Sequence, residues 1–373
     1  MIQSTTETVW VGMDVHQDSV TAAILSDEGH DPRIERLPGD LNAVRRMFRR
    51  LSQEGTPRGC YETSSAGYVL QRRLEQDGFF CEVIAPSLIP RKPGDRRKTD
   101  RLDAVHLVRH YRAGNLVPVT VPDQEHEAIR QLVRSRLAVQ SHVVRLKPRI
   151  VRVMATHGHR FTGTRTNWTK KHRIWLKRLL RELEGPLQTV LAFHMEHLEY
   201  LESQKNALEA EIDRYARTEP WRRSVEALCC FRGIQVLTAM TILTELGDIR
   251  RFRTAPGLMA YAGLVPSERS SGNVQRRGAI TRAGSGELRR VLVEAAWHYR
   301  KRAGATLILN RRRLGQNPEI VAIAVKAQHR LYKTFWKIAS RKHSCTAVTA
   351  TARELCGFLW SALQVKAKEV GVQ

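Results

Sequence analysis

Four carboxylates in three short motifs carry the first chemical suggestion in this 373-residue chain. Asp14 lies inside an apolar, β-rich run, Val9-Trp-Val-Gly-Met-Asp-Val, where a buried, unpaired carboxylate is costly. Something must compensate it, and a bound cation is one answer. Glu62 ends a second short strand pattern, Gly59-Cys-Tyr-Glu, just before a Ser/Gly turn. The third motif is Lys98-Thr-Asp100-Arg-Leu-Asp103-Ala, in which Asp100 and Asp103 are i, i+3 neighbours on one face of a helix. Hard cations such as Mg²⁺ (or Mn²⁺) take one or two carboxylates each, completed by water and substrate phosphate. Two strands and a helix that converge would present Asp14, Glu62, Asp100 and Asp103 to a two-metal site. Each motif also has a plainer explanation. Asp14 could pair with an arginine, Glu62 could cap the next helix, and Asp100 and Asp103 could cap a helix and favour its dipole. The order strand-Asp, strand-Glu, helix-Asp-x-x-Asp is more specific than any one member.

A second candidate centre is Tyr261-Ala-Gly-Leu-Val-Pro266, followed by Ser270, Ser271 and Gly272 and then by Arg276, Arg277, Arg282, Arg289 and Arg290. A serine before glycine is usually only a turn residue. Here the break lies in a strongly basic segment where a phosphate could be held for attack, and a serine nucleophile would need a base or metal to activate it. No G-x-S-x-G elbow supports acyl transfer, and no G-x-x-x-x-G-K-[ST] loop supports a P-loop nucleotidase. The hairpin Cys229-Cys-Phe-Arg-Gly233-Ile-Gln235 could offer backbone N–H groups to phosphate, or could simply pack two helices. His157 and His159 lack metal-ligand context.

The elements that must position these residues follow from patterning. Residues 8–25 read as two strands, Arg33–Leu37 as a third, Leu41–Leu51 as a helix capped by Asp40, and the sequence to Ile84 as alternating strands and helices. This part is α/β with a mixed sheet. From Thr99 onward the chain is mainly helical, with a long amphipathic helix through Val144 interrupted or kinked at Pro148. A basic stretch from His157 to Arg181 contains Trp168 and Trp175. Then Leu187, Leu191, His194, Leu198, Leu201, Lys205, Leu208, Ile212 and Tyr215 step by heptad spacing, either as a coiled-coil dimerisation arm or as a helix packed within one domain. From Glu219 the chain is helical around the Gly/Ser break at 263–286.

Charge points the same way. Lys and Arg number 62 against 37 Asp and Glu, a formal net charge of +25, so a polyanion, nucleic acid by default, is the expected partner. Between Gly272 and Cys345 there are 17 basic residues against three glutamates, with Arg311-Arg-Arg313 the densest knot, expected to track a phosphate backbone. Lys98, Arg101, Arg276, Arg277, Arg282, Arg289 and Arg290 flank the two candidate centres and are expected to contact nucleic acid. Six cysteines without C-x-x-C spacing argue against a zinc ribbon or a disulfide framework. The opening residues do not read as a secretory signal and no apolar run is long enough to span a bilayer, so a bacterial-type cytoplasm fits and no membrane partner is expected.

Together the motifs resemble the DEDD-type transposases of bacterial insertion sequences, a family that includes DNA invertases and RNA-guided bridge recombinases. Val11-Gly-Met-Asp14-Val-His, Cys60-Tyr-Glu62-Thr-Ser and Lys98-Thr-Asp100-Arg-Leu-Asp103-Ala match its N-terminal motifs in order and spacing. Phe231-Arg-Gly-Ile, Tyr261-Ala-Gly-Leu-Val-Pro266, Ser271-Gly272, Thr281-Arg-Ala-Gly284 and Leu288-Arg-Arg match its C-terminal part. The resemblance implies a ribonuclease-H/RuvC-like metal-dependent domain over 1–125, a helical, coiled-coil linker and oligomerisation region over 126–218, and a mainly helical transposase domain with a nucleophilic serine over 219–373. It implies that Asp14, Glu62, Asp100 and Asp103 coordinate divalent metal and that Ser271 attacks the scissile DNA phosphate to form a covalent serine–DNA intermediate. It further implies donor and target double-stranded DNA as substrates, a homo-oligomer (dimer or tetramer), and in some members a structured non-coding guide RNA. The competing expectations are a metal-dependent nuclease or junction resolvase using only the four carboxylates, a sugar-kinase or actin-like ATPase, which the charge opposes, and a non-enzymatic nucleic-acid-binding protein.

Overall fold

The computed structural model describes residues 7–63, 66–90, 99–271 and 275–371, with the side chains of 87, 370 and 371 outside the description. Lys98 and Gly272 lie outside the described residues. The chain forms two compact units, Met1–Pro122 and Asp123–Gln373.

In the first unit, β1 (Thr8–Val15), β2 (Ser19–Ser26) and β3 (Arg33–Pro38) precede α1 (Leu41–Leu51). Then come β4 (Thr56–Glu62), α2 (Val69–Gln76), β5 (Phe80–Ile84) and α3 (Asp100–Arg112). The sheet runs β3-β2-β1-β4-β5, with the β1–β2 and β2–β3 pairs antiparallel and the β1–β4 and β4–β5 pairs parallel. This is the mixed sheet expected from the strand pattern, consistent with the ribonuclease-H-like fold that the family resemblance implied. Alternation along β1 sends Val9, Val11, Met13 and Val15 into one core with Val44, Phe48, Leu70 and Leu74 of α1 and α2. Helix α3 covers the opposite face, burying Ala104 and Val108 against Ala23 and Leu25, and Leu107 and Tyr111 against Cys60 and Ile84.

The second unit opens with α4 (Gln124–Thr156), α5 (Lys170–Glu182) and α6 (Gly185–Ala216). Next are α7 (Trp221–Cys229), α8 (Val236–Leu246), α9 (Ala255–Tyr261), β6 (Pro266–Glu268) and β7 (Arg277–Ile280). The unit ends with α10 (Gly286–Ala296), α11 (Leu307–Arg313), α12 (Pro318–Ala339) and α13 (Ser344–Gly371). Two open readings narrow here. Of interruption or a kink at Pro148, interruption does not occur: helix α4 continues to Thr156. Val143 and Leu146 before the proline, and Ile150 and Met154 after it, bury in one cluster with α5 and α6, and that burial outweighs one missing backbone hydrogen bond. The heptad seam of α6 is covered from within the chain: Leu191, Leu198 and Leu201 pack on α4 and α5, and Ile212 joins Ile129 and Val133. Of the two readings of that seam, packing within one unit is the one the structure realises. No helix among the described residues is long and apolar enough to cross a membrane.

Glu245 on α8, 3% exposed, ties the second unit together. Its carboxylate accepts two hydrogen bonds from the Arg134 guanidinium of α4, at 2.7 and 3.0 Å. Its backbone carbonyl accepts the Tyr261 hydroxyl of α9 at 3.2 Å. Burial pushes the Glu245 carboxyl up, but the Arg134 hydrogen bonds and charge, with Ser285 and Arg130, outweigh burial and hold it below the ordinary carboxylate value. A depressed carboxyl contributes stability above its unfolded value, and that contribution is lost as pH falls through the folded value. Glu245→Gln is therefore expected to cost about 1–3 kcal/mol near neutral pH. The gap to the unsubstituted protein should close as urea unfolding is repeated from about pH 7 down to about pH 3; a gap independent of pH would contradict this role.

Candidate active site

The carboxylate centre is built by strand alternation and one close helix approach. On β1, Asp14 shares the α3-facing side with Trp10 and Gly12; on β4, Cys60 faces α3, so Glu62 does too. The parallel register places Met13 opposite Tyr61, which brings Asp14 and Glu62 to the ends of neighbouring strands. Helix α3 begins where the Thr99 hydroxyl accepts the Leu102 N–H at 3.3 Å, with Asp100 and Asp103 in its first turn, where the helix dipole favours them. These two carboxylates sit one turn before buried Ala104 and Leu107 and so extend the buried stripe past the sheet. Gly12 makes this possible. A Cβ there would lie 2.5 Å from the Val108 backbone nitrogen and 2.7 Å from the Ala104 carbonyl oxygen, so any side chain would push α3 off the sheet.

The ligand-capable atoms of Asp14, His16 and Asp100 lie within 4.8 Å of one another. His16 Nε2 is 3.3 Å from Asp14 Oδ2 and 3.9 Å from Asp100 Oδ1. Burial pushes the Asp14 carboxyl above its ordinary value, His16 pulls it back, and the charges of Asp100 and Asp103 add to the rise. Carboxylates that disfavour one another's ionisation mark a place short of positive charge, and this oxygen-rich donor set fits a hard divalent cation. Asp103 and Glu62 stand outside the 4.8 Å group. His16 was not singled out from the sequence, although its i, i+2 spacing from Asp14 at the strand end was the available signal.

The serine centre lies in the second unit. Strands β6 and β7 pair antiparallel, Pro266 opposite Ile280, and Ser271 follows β6. Two glycines at left-handed φ let the flanking segments touch: a Cβ on Gly263 would meet the Ala283 carbonyl at 2.3 Å, and one on Gly284 the Tyr261 carbonyl at 2.1 Å. An open cavity of about 730 Å³ is lined by Ser267, Arg269, Ser270, Ser271, Arg276 and Arg277. The Ser270 hydroxyl donates to Glu268 Oε1 at 2.7 Å. The Ser271 hydroxyl has no side-chain hydrogen bond among the described residues.

Comparison with known proteins covers both units. Residues 11–158 match the DEDD-type IS110 model, described as a transposase, and residues 225–308 match the model of the IS116/IS110/IS902 transposase family. The y4qE protein of Sinorhizobium fredii, assigned as a transposase, is 36% identical over 362 residues, covering 94% of this chain and 87% of that protein. The transposase for insertion sequence element IS1533 from Leptospira borgpetersenii is 30% identical over 339 residues, covering 90% of this chain and 97% of that protein. The chain belongs to the IS116/IS110/IS902 transposase family.

The arginines of this transposase divide by what they touch. Arg101, Arg276, Arg277 and Arg282 are exposed, and Arg276 and Arg277 line the serine cavity. Arg289 instead donates to the Ala262 and Ala283 carbonyls, at 3.1 and 2.7 Å, clamping the segments that flank β6 and β7. Arg290 is paired with Glu287 and Glu294 on its own helix. The 311–313 knot is not a phosphate track as expected. Arg313 is buried and donates to the Cys230 carbonyl and to Gln328, and Arg312 donates to the Ile234 carbonyl, which leaves only Arg311 exposed. The Gly233 hairpin likewise serves packing, since a Cβ there would lie 2.6 Å from the Ala295 carbonyl of α10.

Gly12→Ala should destabilise the first unit by about 1–3 kcal/mol through forced displacement of α3. It should also abolish Mn²⁺ binding measured calorimetrically, although no ligand is changed. Unaltered Mn²⁺ affinity would show that the α3 approach does not position the carboxylates.

Proposed function

We propose that this transposase cleaves and rejoins donor and target double-stranded DNA through a covalent serine–DNA intermediate at Ser271, with divalent cations held by Asp14, Glu62, Asp100 and Asp103. The observation that carries the serine reading is the exposed Ser271 hydroxyl in a cavity walled by Arg269, Arg276 and Arg277. In that cavity the arginines neutralise a scissile phosphodiester and orient it toward the hydroxyl. The serine oxygen forms a bond to phosphorus, the bond to the deoxyribose oxygen breaks, and the freed strand end leaves as a hydroxyl. Attack by another strand's hydroxyl reverses these steps and returns the serine, so the phosphoester energy is conserved. The Ser271 proton passes to a carboxylate base, a role we assign to Glu268, whose Oε1 accepts the Ser270 hydroxyl in the same loop. When bound, a Mg²⁺ or Mn²⁺ ion supplies Lewis-acid stabilisation of negative charge on the phosphate.

The basic surface and the family membership support a structured guide RNA as the partner that selects the DNA sites. A homo-oligomer is supported by a different face of α6 from the covered heptad seam. Phe193 and Tyr200, two turns apart, are 60% and 61% exposed, on a helix that carries four more acidic than basic residues and is therefore poorly suited to phosphate.

A nicked DNA substrate that traps the intermediate decides the chemistry. Ser271→Ala should abolish the protein–DNA adduct that survives denaturing electrophoresis, and Asp14→Asn should lower cleavage by at least about a hundredfold. Strand cleavage that persists in Ser271→Ala without an adduct would replace this reading with a carboxylate-only nuclease. An adduct lost only in Ser270→Ala would move the nucleophile by one residue.

A further inference from the structure

The basic stretch between α4 and the end of α5 plays no part in either centre. Residues 157–183 hold eight Lys and Arg against one glutamate, interleaved with Phe161, Trp168, His172 and Trp175. Packing explains part of this. The rings of Phe161, Trp168 and Trp175 gather around buried His172 at 5.0–5.6 Å and close the end of the helical cluster formed with α4 and α6.

Packing does not explain what remains open beside the cluster. A cavity of about 360 Å³ lies against Trp168, with Leu176, Met195 and Leu198 among its apolar lining and Lys170 and Lys177 among its basic lining. Ile174, also lining it, is 67% exposed. Lys147 Nζ and the Arg173 guanidinium lie 5.4 and 5.7 Å from the Trp168 ring centre. Trp168 has φ 69°, an unusual value for so bulky a residue, and of the described non-glycine residues only Arg282 shares a left-handed φ. An apolar slot of this size with an indole wall and a cationic rim is complementary to a flat aromatic ring that carries phosphate on both sides.

We propose that this cavity binds an unpaired nucleotide of a single strand, the base entering beside Trp168 and the flanking phosphates resting on Lys170 and Lys177. Glu199 on the same wall pairs with Lys177 at 3.7 Å across an exposed contact, and a bound strand would exchange that pair, the lysine taking a phosphate and the carboxylate a base amino group that duplex pairing would occupy. A base inside an intact duplex cannot enter the slot, so the site discriminates single strands from double-stranded DNA. This deepens the reading of a guided transposase: an unpaired loop of RNA or a DNA strand opened during exchange would supply the same chemistry.

Fluorescence anisotropy of the full chain with labelled single-stranded RNA, single-stranded DNA and duplex DNA tests the site. Trp168→Ala should weaken single-strand binding by about ten- to a hundredfold, and Trp168→Phe should restore most of it. Lys170→Glu combined with Lys177→Glu, both at exposed positions, keeps the fold and should weaken binding while flattening its salt dependence. Dependence on Trp168 for RNA, for DNA or for both supports the site and names its source. Single-strand affinity unchanged in the lysine variant, or duplex affinity falling by the same factor, overturns it. Adduct formation at Ser271 is scored separately, so the slot can fail while the serine chemistry stands, or stand while that chemistry fails.

Discussion

Helix α3 can rest on β1 only because residue 12 has no side chain, and the metal-binding reading of the first unit depends on that approach. The helix touches the sheet backbone to backbone, with Val108 N and Ala104 O where a Cβ would be. Its first turn then overhangs the strand end and places Asp100 and Asp103 near Asp14. Burial does most to raise the Asp14 carboxyl, His16 offsets part of that rise, and the charges of Asp100 and Asp103 add to it. The resulting group of Asp14, His16 and Asp100 fits a divalent cation, the cofactor class that the DEDD family implies.

In the second unit, close backbone contacts fix the exposed hairpin in which Ser271 stands after β6. Gly263 and Gly284 bring the flanking segments into contact, Arg289 clamps two of their carbonyls, and Tyr261 anchors them to α8 through the Glu245 carbonyl. Several arginines serve here as internal cross-links and not as free surface charge. Arg313, Arg312 and Arg289 all spend donors on backbone carbonyls, for which the planar, many-donor guanidinium is suited. Net charge therefore overstates the phosphate-facing surface around 311–313, whereas Arg269, Arg276 and Arg277 beside Ser271 are exposed.

Much of this was legible in the linear order of residues. Alternation in Val9–Val15 and the turn before Ser19 announced the first hairpin, and the Asp100-x-x-Asp103 spacing at the start of a helical stretch announced α3. The strand-Asp, strand-Glu, helix-Asp-x-x-Asp order marked the candidate centre, because carboxylates inside apolar patterns are rare without a counter-charge. At Pro148 the sequence left interruption and a kink both open, and the helix continues because apolar contacts from α5 and α6, which come from tens of residues away, outweigh one hydrogen bond. His16 escaped notice because it becomes significant only when Asp100 arrives beside it.

The sequence by itself determined which residue types stand where: the carboxylate order, the serine pair before glycine, the excess of cations, and the periodicities that set strands and helices. These are local properties, readable from spacing because strand and helix geometry repeat. Only the tertiary structure decided which cations face outward and which hold carbonyls. It also decided that the heptad seam of α6 is spent inside the chain, and that an open slot remains beside Trp168. Those outcomes depend on which surfaces meet across long sequence separations, and spacing along the chain carries no record of that.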